Sequence, residues 1–507
     1  MSIEHVDVLI VGAGLSGIGA ACHLEADCPG KSYAILEARD VIGGTWDLFR
    51  YPGIRSDSDM YTLGYAFRPW TAAKAIADGP TILQYIRDTA RDHGVDRHVR
   101  FGHRVVRADW STPDARWTVT AERGDTGETV TLTCGFLFTN TGYYRYDEGY
   151  TPEFPGRDRF AGPIVHPQHW DEDLDYAGRR IVVIGSGATA VTLVPSLAER
   201  AAHVTMLQRS PSYVVALPAK DAVADVLRRR LPMKAAYSLV RWKNVLTATL
   251  FFQLSRRAPR LAKAVIRKGV EKELGPDYDL RGDFTPRYDP WDQRVCLVPD
   301  GDLFRTLREG RASIVTDRIE TFTETGLRLA SGRELEADVI VTATGLTMLA
   351  LGGMRLSVDG EDVALPEKVG YKGMMLSDVP NFAVTFGYTN ASWTLKSDLV
   401  GAFVGRLLNH MDAGGFVQAT PRRRASDTGP LDAFVDLNAG YVQRAVDQFP
   451  KQGARTPWRL HQNYVRDIRM LRHGPVQDGA LELRRAPAPG PSPTPVPPSG
   501  TEVGLGA

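Results

Sequence analysis

A glycine-rich segment near the N-terminus has the residue types and spacing to hold the phosphates of a dinucleotide. Gly12, Gly14 and Gly17 follow the apolar run Val6–Val11 and precede a helix-like pattern, which predicts a strand, a tight turn and a helix. The first glycine makes the bend, the second lets the backbone approach a pyrophosphate, and the third lets the helix pack on the strand. Free N–H groups at the helix N-terminus would face the negative charge.

A second segment repeats this order about 170 residues later. The run that begins at Arg180 leads into the turn residues Gly185, Ser186, Gly187, Ala188, Thr189 and Ala190. One such motif is weak support, but two in the same strand and helix context are much stronger. They predict an α/β protein with two Rossmann-like dinucleotide-binding domains.

The residues that follow each turn predict different cofactors. Glu37 ends the next strand, 20 residues after Gly17, where a carboxylate can bind a ribose 2′-OH and repel a 2′-phosphate. The corresponding strand of the second unit ends in Gln208-Arg209-Ser210, which suits the 2′-phosphate of NADP. The alternative is that Arg209 is a solvated residue at a strand end.

Two longer motifs carry a resemblance to a known family. One fits FxGxxxHxxxWD through Phe160, Gly162, His166, Trp170 and Asp171. The other fits GGxWxxxxYPGxxxD, with Gly43-Gly44-Thr45-Trp46, Tyr51-Pro52-Gly53 and Asp57. In both motifs the chain resembles the type I Baeyer–Villiger monooxygenases, and the likeness extends over about residues 5 to 485.

This resemblance implies an enzyme in which NADPH reduces FAD and the reduced flavin reacts with O₂ to give a C4a-peroxide. That species would insert one oxygen into a ketone to form an ester or lactone, and would also oxygenate sulfur in thioethers or thioamides. The protein would supply positioning, charge and exclusion of water. The implied partners are therefore O₂ and a small ketone or sulfur substrate.

The resemblance also implies a catalytic pair. Arg294, in Trp291-Asp292-Gln293-Arg294, matches the family's catalytic arginine, whose permanent charge would stabilise the anionic peroxide. Asp57 would orient this arginine and the nicotinamide. Without the resemblance, Arg294 could be a surface arginine and Asp57 a turn residue.

The cofactor contacts are carried over in the same way. The resemblance implies FAD contacts at Gly12, Gly14, Ser16, Gly17, Glu37, Thr45, Trp46, Asp47, Leu48, Asp57 and Val105. It implies NADP contacts at Arg55, Ser56, residues 185–190, Arg209 and Ser210. His166 is expected to anchor the linker between the domains. No metal site is predicted, because His166 and His169 lack a third ligand nearby.

One departure from the family pattern concerns coenzyme choice. Many members carry a lysine just before the catalytic arginine, where it helps to hold the 2′-phosphate, whereas this chain has Gln293. We therefore expect NADPH to be preferred through Arg209, but by a narrower margin.

The predicted organisation is an FAD domain in two pieces with an NADP domain between them. The FAD domain comprises residues 1–150 and 345–485, and the NADP domain comprises 151–218 and 286–344, interrupted by a basic helical insertion at 219–285. Residues 486–507 hold seven prolines between Pro487 and Pro498, which predicts a disordered tail.

Composition narrows the class of protein. The 507 residues carry 61 Lys+Arg against 60 Asp+Glu, and this balance gives no reason to expect nucleic-acid binding. The four scattered cysteines favour a reducing cytoplasm over a disulfide scaffold. The nearest candidate for a membrane span, Val245–Leu254, is about half of the length that a span needs, so no crossing is predicted.

The near-zero total charge conceals one basic segment. Residues 220–272 hold 14 Lys+Arg against three acids, together with apolar residues that suit amphipathic helices. This segment is expected either to cover the active site as a lid with its basic face in water, or to contact an anionic membrane as a peripheral protein or another copy of the chain.

Two other enzyme classes share this domain plan. A disulfide reductase needs closely spaced redox cysteines, and the nearest pair is Cys22 and Cys28, of which Cys22 is expected to pack in the core. An N-hydroxylating or general flavin-containing monooxygenase, with N- or S-oxygenation but no ketone activity, is the alternative closest in chemistry. The two signature motifs favour the Baeyer–Villiger branch.

Overall fold

The computed structural model of the protein describes residues 3–435 and 437–486. The predicted disordered tail lies outside the described residues except for Ala486. The predicted α/β fold class with two Rossmann-like units is confirmed, because each glycine-rich turn joins a buried parallel strand to a helix.

The N-terminal region is built on one sheet whose central strand, β1, is apolar on both faces, as a parallel strand covered by helices must be. The elements of this region are β1 (Glu4–Val11), α1 (Leu15–Asp27), β2 (Tyr33–Leu36), α2 (Thr45–Leu48), α3 (Met60–Leu63), α4 (Gly79–Asp92), β3 (Val99–Arg100), β4 (His103–Ser111), β5 (Arg116–Arg123), β6 (Thr129–Thr139) and β7 (Tyr144–Gly149).

The middle region forms a second, five-stranded sheet in the order β13-β10-β9-β17-β8. Its elements are β8 (Ile164–Val165), β9 (Arg180–Ile184), α5 (Ala188–Leu197), β10 (His203–Gln208), β11 (Val214–Leu217), α6 (Ala222–Arg230), α7 (Met233–Arg257), α8 (Pro259–Leu274), α9 (Leu280–Asp283), β12 (Cys296–Pro299), α10 (Asp302–Arg308), β13 (Ala312–Thr316), β14 (Ile319–Thr323), β15 (Gly326–Leu329), β16 (Glu334–Glu336) and β17 (Val339–Thr342).

The C-terminal region returns to the first sheet and then covers it with a long helix. Its elements are β18 (Leu346–Met348), β19 (Arg355–Val358), β20 (Glu361–Asp362), β21 (Gly370–Tyr371), β22 (Met375–Leu376), β23 (Phe382–Val384), α11 (Trp393–Gly414), β24 (Phe416–Pro421), α12 (Ala425–Thr428), β25 (Leu431–Ala433), α13 (Gly440–Gln443), β26 (Lys451–Gly453), α14 (Tyr464–Asp467) and β27 (Leu481–Arg485).

The larger sheet contains strands from both the N-terminal and the C-terminal regions. The nine-stranded sheet runs β20-β19-β4-β5-β6-β1-β2-β3, and β23 also pairs with β6. It therefore joins strands from residues 4–139 with strands from residues 355–384, whereas the five-stranded sheet uses strands from 164–342 only. This pairing supports the proposed split FAD domain, whose boundaries remain a proposal.

The helical insertion touches both cores. Tyr237, Val240 and Val245 of α7 are buried in the core that α1 and α11 share. Ile266 and Val270 of α8 are buried in the core of the second sheet. Because successive helices bury their faces in different cores, the insertion connects the two nucleotide-binding regions.

Candidate functional site

The first glycine-rich turn is tightly enclosed by backbone. Gly12 has φ +102°, and a Cβ there would lie 2.7 Å from the carbonyl oxygen of Asn140. A Cβ on Gly17 would lie 1.8 Å from the carbonyl oxygen of Gly12. A side chain is therefore excluded at both positions, and this close packing aims the N-terminus of α1 at the space beyond β1.

Glu37 lies at the end of β2 beside this turn, and only 6% of it is exposed. Its carboxylate accepts hydrogen bonds from the N–H groups of Ala13 (2.6 Å) and Arg39 (2.9 Å). Burial raises the pKa of Glu37, while these two N–H donors act in the opposite direction. The unused lone pairs of a carboxylate so placed can accept hydrogen bonds from ribose hydroxyls.

A cavity of ≈ 450 Å³ opens from the first turn toward the second domain. Its volume falls within the range of small-molecule and cofactor sites. The sequence-predicted residues that line it are Gly12, Gly14, Ser16, Glu37, Thr45, Trp46, Arg55, Ser56, Asp57, Val105, Ala188 and Arg294. Both turns and the predicted catalytic pair thus contribute to one continuous space.

Three predicted FAD contacts lie behind the cavity wall instead of lining it. Gly17 packs under the turn, and Leu48 lies at the end of α2. Asp47 is 1% exposed, and its carboxylate pairs with the guanidinium groups of Arg39 (2.5 Å), Arg50 (3.3 Å) and Arg87 (3.1 Å). The side chain of Asp47 therefore organises three arginines around the entrance to α2.

The second turn also begins with a glycine at positive φ, but the space around its second glycine is more open. Gly185 has φ +139°, and a Cβ there would lie 2.3 Å from the carbonyl oxygen of Ala343. A Cβ on Gly187 would meet no described heavy atom within 4 Å. Ala190 replaces the third glycine and is fully buried in α5. Ser186 and Thr189 belong to the same turn, and Ser186 donates a hydrogen bond to the carbonyl oxygen of Ser210 (3.1 Å).

Arg209 and Ser210 follow β10, where both are exposed. No ion pair or hydrogen bond involves the guanidinium of Arg209 within the described residues. Gln208 beside it is buried, and its side chain donates to the carbonyl oxygen of Asp283 (2.9 Å). The chain therefore presents one uncompensated positive charge at the strand end where a 2′-phosphate would bind.

Arg294 and Asp57 form an ion pair at the cavity wall, with 2.6 Å between Nη2 and Oδ2. Their side chains are 34% and 35% exposed. Arg294 comes from the loop before β12 and Asp57 from the loop before α3, so the middle region and the N-terminal region each supply one partner. The carboxylate of Asp57 raises the pKa of Arg294 further above its usual range, which leaves the guanidinium charged at any working pH.

Aromatic residues around this pair were missed by reasoning from the sequence. Tyr143 and Tyr144 line the cavity with ring centroids 4.4 Å apart, and Tyr441 lies 6.5 Å from Tyr144. Burial raises the pKa of Tyr143 and of Tyr441, so both phenols stay neutral. Trp393 packs against Tyr143 with the two rings tilted by 47°, and it donates from Nε1 to Oγ of Ser16 (2.6 Å). The only sequence signal was that Tyr143 directly follows the Thr-Asn-Thr-Gly segment after β6.

Arg55 and Ser56 enter the cavity wall beside Asp57. The guanidinium of Arg55 pairs with Asp302, the first residue of α10 in the second domain. Ser56 is buried, and its hydroxyl donates to the carbonyl oxygen of Ser58 (2.7 Å). Arg55 therefore connects the N-terminal region with the middle region, and its charge is already paired with a carboxylate.

The fingerprint linker is hydrogen bonded to the first domain by its histidine and glutamine. His166 accepts from the N–H of Gln168 (3.2 Å), and its other ring nitrogen lies 3.2 Å from the carbonyl oxygen of Gly345. Gln168 donates to the carbonyl oxygens of Arg145 and Tyr146, both at 3.0 Å. Burial lowers the pKa of His166, which favours a neutral imidazole. This geometry supports an anchoring role, which remains a prediction.

The other fingerprint residues fix the linker locally. Phe160 is buried in the second domain, and a Cβ on Gly162 would lie 2.4 Å from the carbonyl oxygen of Asp338. Trp170 packs edge-on against Tyr176 at 6.3 Å, and Asp171 accepts from the N–H of Asp173 (3.0 Å). None of the five fingerprint residues lines the described cavity.

The cysteines do not fit disulfide-reductase chemistry. All four are free and buried, and Cys22 packs in the core as expected. Burial raises the pKa of Cys22 to about 12, so its thiol stays protonated and unreactive.

The described wall of this cavity includes none of residues 219–285, and the role of the insertion as a lid stays a prediction. Within the described part of the chain, the helices, of which α7 is the longest, are too short or too polar to span a bilayer.

Comparison with protein families and curated proteins gives one consistent result. Residues 75–350 match the family described as flavin-binding monooxygenase-like, and residues 10–76 match a NAD(P)-binding Rossmann-like domain. FAD-containing monooxygenase EthA of Mycobacterium tuberculosis is 57% identical over 486 residues, covering 96% of this chain and 99% of the relative. Probable FAD-binding monooxygenase AlmA of Acinetobacter baylyi is 45% identical over 479 residues, covering 94% and 96%.

Two solved structures show the same fold at lower identity. An oxidised steroid monooxygenase bound to NADP aligns with TM-score 0.75 and 23% identity, covering 95% of this chain and all of that one (100%). An open form of cyclohexanone monooxygenase aligns with TM-score 0.70 and 21% identity, covering 82% and 90%.

Proposed function

The chain belongs to the flavin-binding monooxygenase-like family, and on that basis we propose that it is an FAD-dependent, NADPH-consuming monooxygenase of the Baeyer–Villiger type. It inserts one oxygen atom of O₂ into a ketone to give an ester or lactone, and oxygenates sulfur in thioethers or thioamides. The observation that carries the proposal is the Arg294–Asp57 ion pair in a cavity that both glycine-rich turns share.

The residues of the first turn fit a flavin dinucleotide. A Cβ at Gly12 or Gly17 would collide with backbone, and the carboxylate of Glu37 is buried but keeps acceptor capacity. Gly14, Ser16, Thr45, Trp46 and Val105 line the remaining wall. When bound, reduced flavin supplies the oxygen-activating chemistry, and these residues hold and orient it.

The second turn fits NADP. Gly187 leaves the backbone of this turn accessible, and Arg209 offers the unpaired charge that a 2′-phosphate requires. The nicotinamide end would then lie toward Asp57 and Arg294, where Ala188 of the second turn reaches the common cavity.

Arg294 supplies a permanent positive charge beside the reacting atoms. Negative charge that develops there is stabilised because the guanidinium is already fixed by Asp57 and needs no reorganisation. The neutral rings of Tyr143 and Tyr144 exclude water from the same wall. The carboxylate of Asp57 pairs with this guanidinium, so Asp57 acts by positioning Arg294.

Removal of the cation tests this function. Arg294→Ala should retain bound flavin but lose ester formation by about 10²–10³-fold in kcat, because one preorganised charge is removed. NADPH oxidation should continue and release H₂O₂ instead. Arg287→Ala is the matched control, since Arg287 is exposed and lies only seven positions upstream. Ester formation retained in Arg294→Ala would overturn the assignment.

Product analysis separates this function from its alternative. A panel of simple ketones and thioethers should give esters and sulfoxides from the same preparation. A general N- or S-oxygenating flavin monooxygenase would give sulfoxides or N-oxides without any ester. Sulfoxides from the thioethers, with no ester from any of the ketones, would favour that alternative.

A further inference from the structure

An exposed apolar surface covers the helical insertion. Of the twelve large hydrophobic side chains exposed in the described chain, ten lie between Leu217 and Val265. We call this set the insertion surface; its members are Leu217, Val223, Val226, Met233, Leu239, Trp242, Leu246, Leu250, Leu261 and Val265. Such concentration marks an interaction site, whereas scattered exposed apolar residues would need no explanation.

The surface has helical order along α7. Leu239, Trp242, Leu246 and Leu250 recur at spacings of three and four, so they form one stripe. The buried residues of the same helix, Tyr237 among them, occupy the opposite face. Leu246 and Leu250 are 55% and 71% exposed, which no requirement of the fold itself explains.

The same helix is firmly attached to the protein by its buried face. Arg241 donates to the carbonyl oxygens of Tyr61 and Gly64, both at 2.7 Å, and Tyr237 donates to the carbonyl oxygen of Tyr65 (3.0 Å). Near its C-terminal end, Arg256 pairs with Asp292 (2.9 Å) in the loop that carries Arg294. The apolar stripe is therefore held outward on a fixed helix that also contacts the catalytic loop.

The exposed charges within the segment that carries most of this surface have one sign. Between residues 220 and 272, all ten exposed charged side chains are basic, and the three acids of this segment are only partly exposed. Arg256 and Arg267 have ion-pair partners. The remaining eight have none within the described residues; they are Lys220, Arg229, Arg230, Lys234, Arg257, Arg260, Lys268 and Lys272.

The combination of an apolar stripe with surrounding basic residues can be compared with three kinds of partner. Nucleic acid would match the charge but not the apolar stripe. A two-fold dimer would bring the same patch of each copy together, and so would set basic side chains against basic side chains. An anionic lipid surface matches both features, because its headgroups attract Lys and Arg while its acyl boundary accepts Leu and Trp.

We propose that α6, α7 and α8 dock the protein on anionic membrane surfaces through the insertion surface and its surrounding basic residues. The interaction is peripheral: the apolar side chains enter the interfacial region and the helices lie along it. This inference does not depend on the proposed function, and its outcome would not alter the assignment of Arg294.

Vesicle flotation with the full-length protein tests the proposal. Wild type should float with phosphatidylcholine–phosphatidylglycerol vesicles at low salt, and should not float with pure phosphatidylcholine. The partition coefficient should fall as salt rises, because the basic residues are exposed. Absence of flotation with anionic vesicles at low salt would overturn the proposal.

Paired variants separate the two contributions. Leu246→Ser with Leu250→Ser, and separately Arg257→Glu with Arg260→Glu, should each lower the partition coefficient at least about tenfold. Phe101→Ser and Arg179→Glu are matched controls, since both residues are exposed outside the insertion and should leave the partition unchanged. Equal loss in variants and controls would contradict the proposed surface.

Light scattering after gel filtration distinguishes lipid docking from self-association. The wild type and both paired variants should have the same mass in the absence of vesicles. A wild-type oligomer that the Leu246→Ser and Leu250→Ser changes dissolve, together with no flotation, would show that a second copy covers this surface and would refute lipid docking.

Discussion

The two glycine-rich turns have nearly the same backbone but opposite exposure. At the first, which we call the closed turn, Glu37 is buried, and a Cβ on Gly14 would meet the Cα of Gly44 at 3.5 Å. At the second, Arg209 is exposed, and the space above Gly187 is open. The motif alone therefore does not determine how a cofactor is held, because enclosure comes from the segments packed around it.

Because of this difference, we expect the two cofactors to dissociate at different rates. A dinucleotide enclosed at the first turn would have to leave past Trp46 and Trp393, both of which line the cavity, so it is expected to stay bound through many turnovers. A dinucleotide at the second turn would be held by exposed groups and can exchange in each cycle. The closed turn is thus expected to bind FAD as a resident group, and the open turn to bind NADPH as a substrate.

The largest expected effect comes from filling the closed turn. Gly17→Ala would place a methyl group 1.8 Å from the carbonyl oxygen of Gly12. Relief of this overlap requires movement of α1 away from β1 at a cost of about 1–3 kcal/mol or more, so the purified protein should lose most of its flavin absorbance. Ala190→Gly is the matched change at the open turn and should leave flavin content intact. Full flavin content in Gly17→Ala would show that the turn is not closed as described.

Removal of the buried charge should have the next largest effect. Glu37→Gln should weaken flavin retention about tenfold to a hundredfold, because charged hydrogen bonds contribute about 1.5–3 kcal/mol. Flavin release in dialysis, followed by absorbance, measures this loss. Ser210→Ala is the control, since it removes an exposed polar group at the end of the strand after the open turn.

The same residue gives a pH dependence of stability with a defined sign. Burial raises the pKa of folded Glu37 above its ordinary value of 4.5. The folded apoprotein then binds a proton more readily than the unfolded chain, so stability falls as pH rises from about 4.5 through the raised pKa. The unfolding free energy of wild-type apoprotein, minus that of Glu37→Gln, should fall over this window and be level above it. A difference that rises with pH would contradict the burial of a charged carboxylate.

Loss of the exposed guanidinium should act on the coenzyme alone. Arg209→Ala should raise the KM for NADPH about tenfold to a hundredfold, since a charge-assisted contact to phosphate is removed. The KM for NADH and the flavin content should stay within about twofold. Steady-state kinetics with both coenzymes, with Arg179→Ala as an exposed control, checks this. An equal rise for NADH would place Arg209 outside the 2′-phosphate site.

The features that could be predicted from the sequence are those that depend on the spacing of neighbouring residues. The strand and helix around Gly12 and Gly185, and the positions of Glu37 and Arg209 at strand ends, follow from short-range patterns. The pairing of Asp57 with Arg294 came only through a family resemblance, because 237 positions separate the two residues and no local pattern links them.

The sequence could not show which charged residues already have an ion-pair partner within the protein. Asp47 is a predicted flavin contact, and its carboxylate is already paired with the arginines at positions 39, 50 and 87. Arg55 is paired with Asp302 from the middle region. Tyr441 joins the cluster around Arg294 from a segment that carries no motif. These contacts depend on how distant segments pack, which neither composition nor spacing encodes.

The smallest expected effect is an increase in the preference for NADPH over NADH at the open turn. Gln293 is partly buried beside Arg294, where many family members carry a lysine that helps to hold the 2′-phosphate. Gln293→Lys should therefore increase the ratio of kcat/KM for NADPH over NADH, but only about two- to fivefold, since a partly solvated ion pair contributes about 0.2–1 kcal/mol. Gln448→Lys adds the same charge at an exposed position in the C-terminal region and should leave the ratio unchanged. Because Arg209 already supplies the principal charge, a gain far above this range would mean that Arg209 is not the main phosphate contact. If Gln293→Lys leaves the ratio unchanged, the 2′-phosphate lies beyond reach of the loop that carries Arg294. Coenzyme selectivity would then depend on the end of β10 alone.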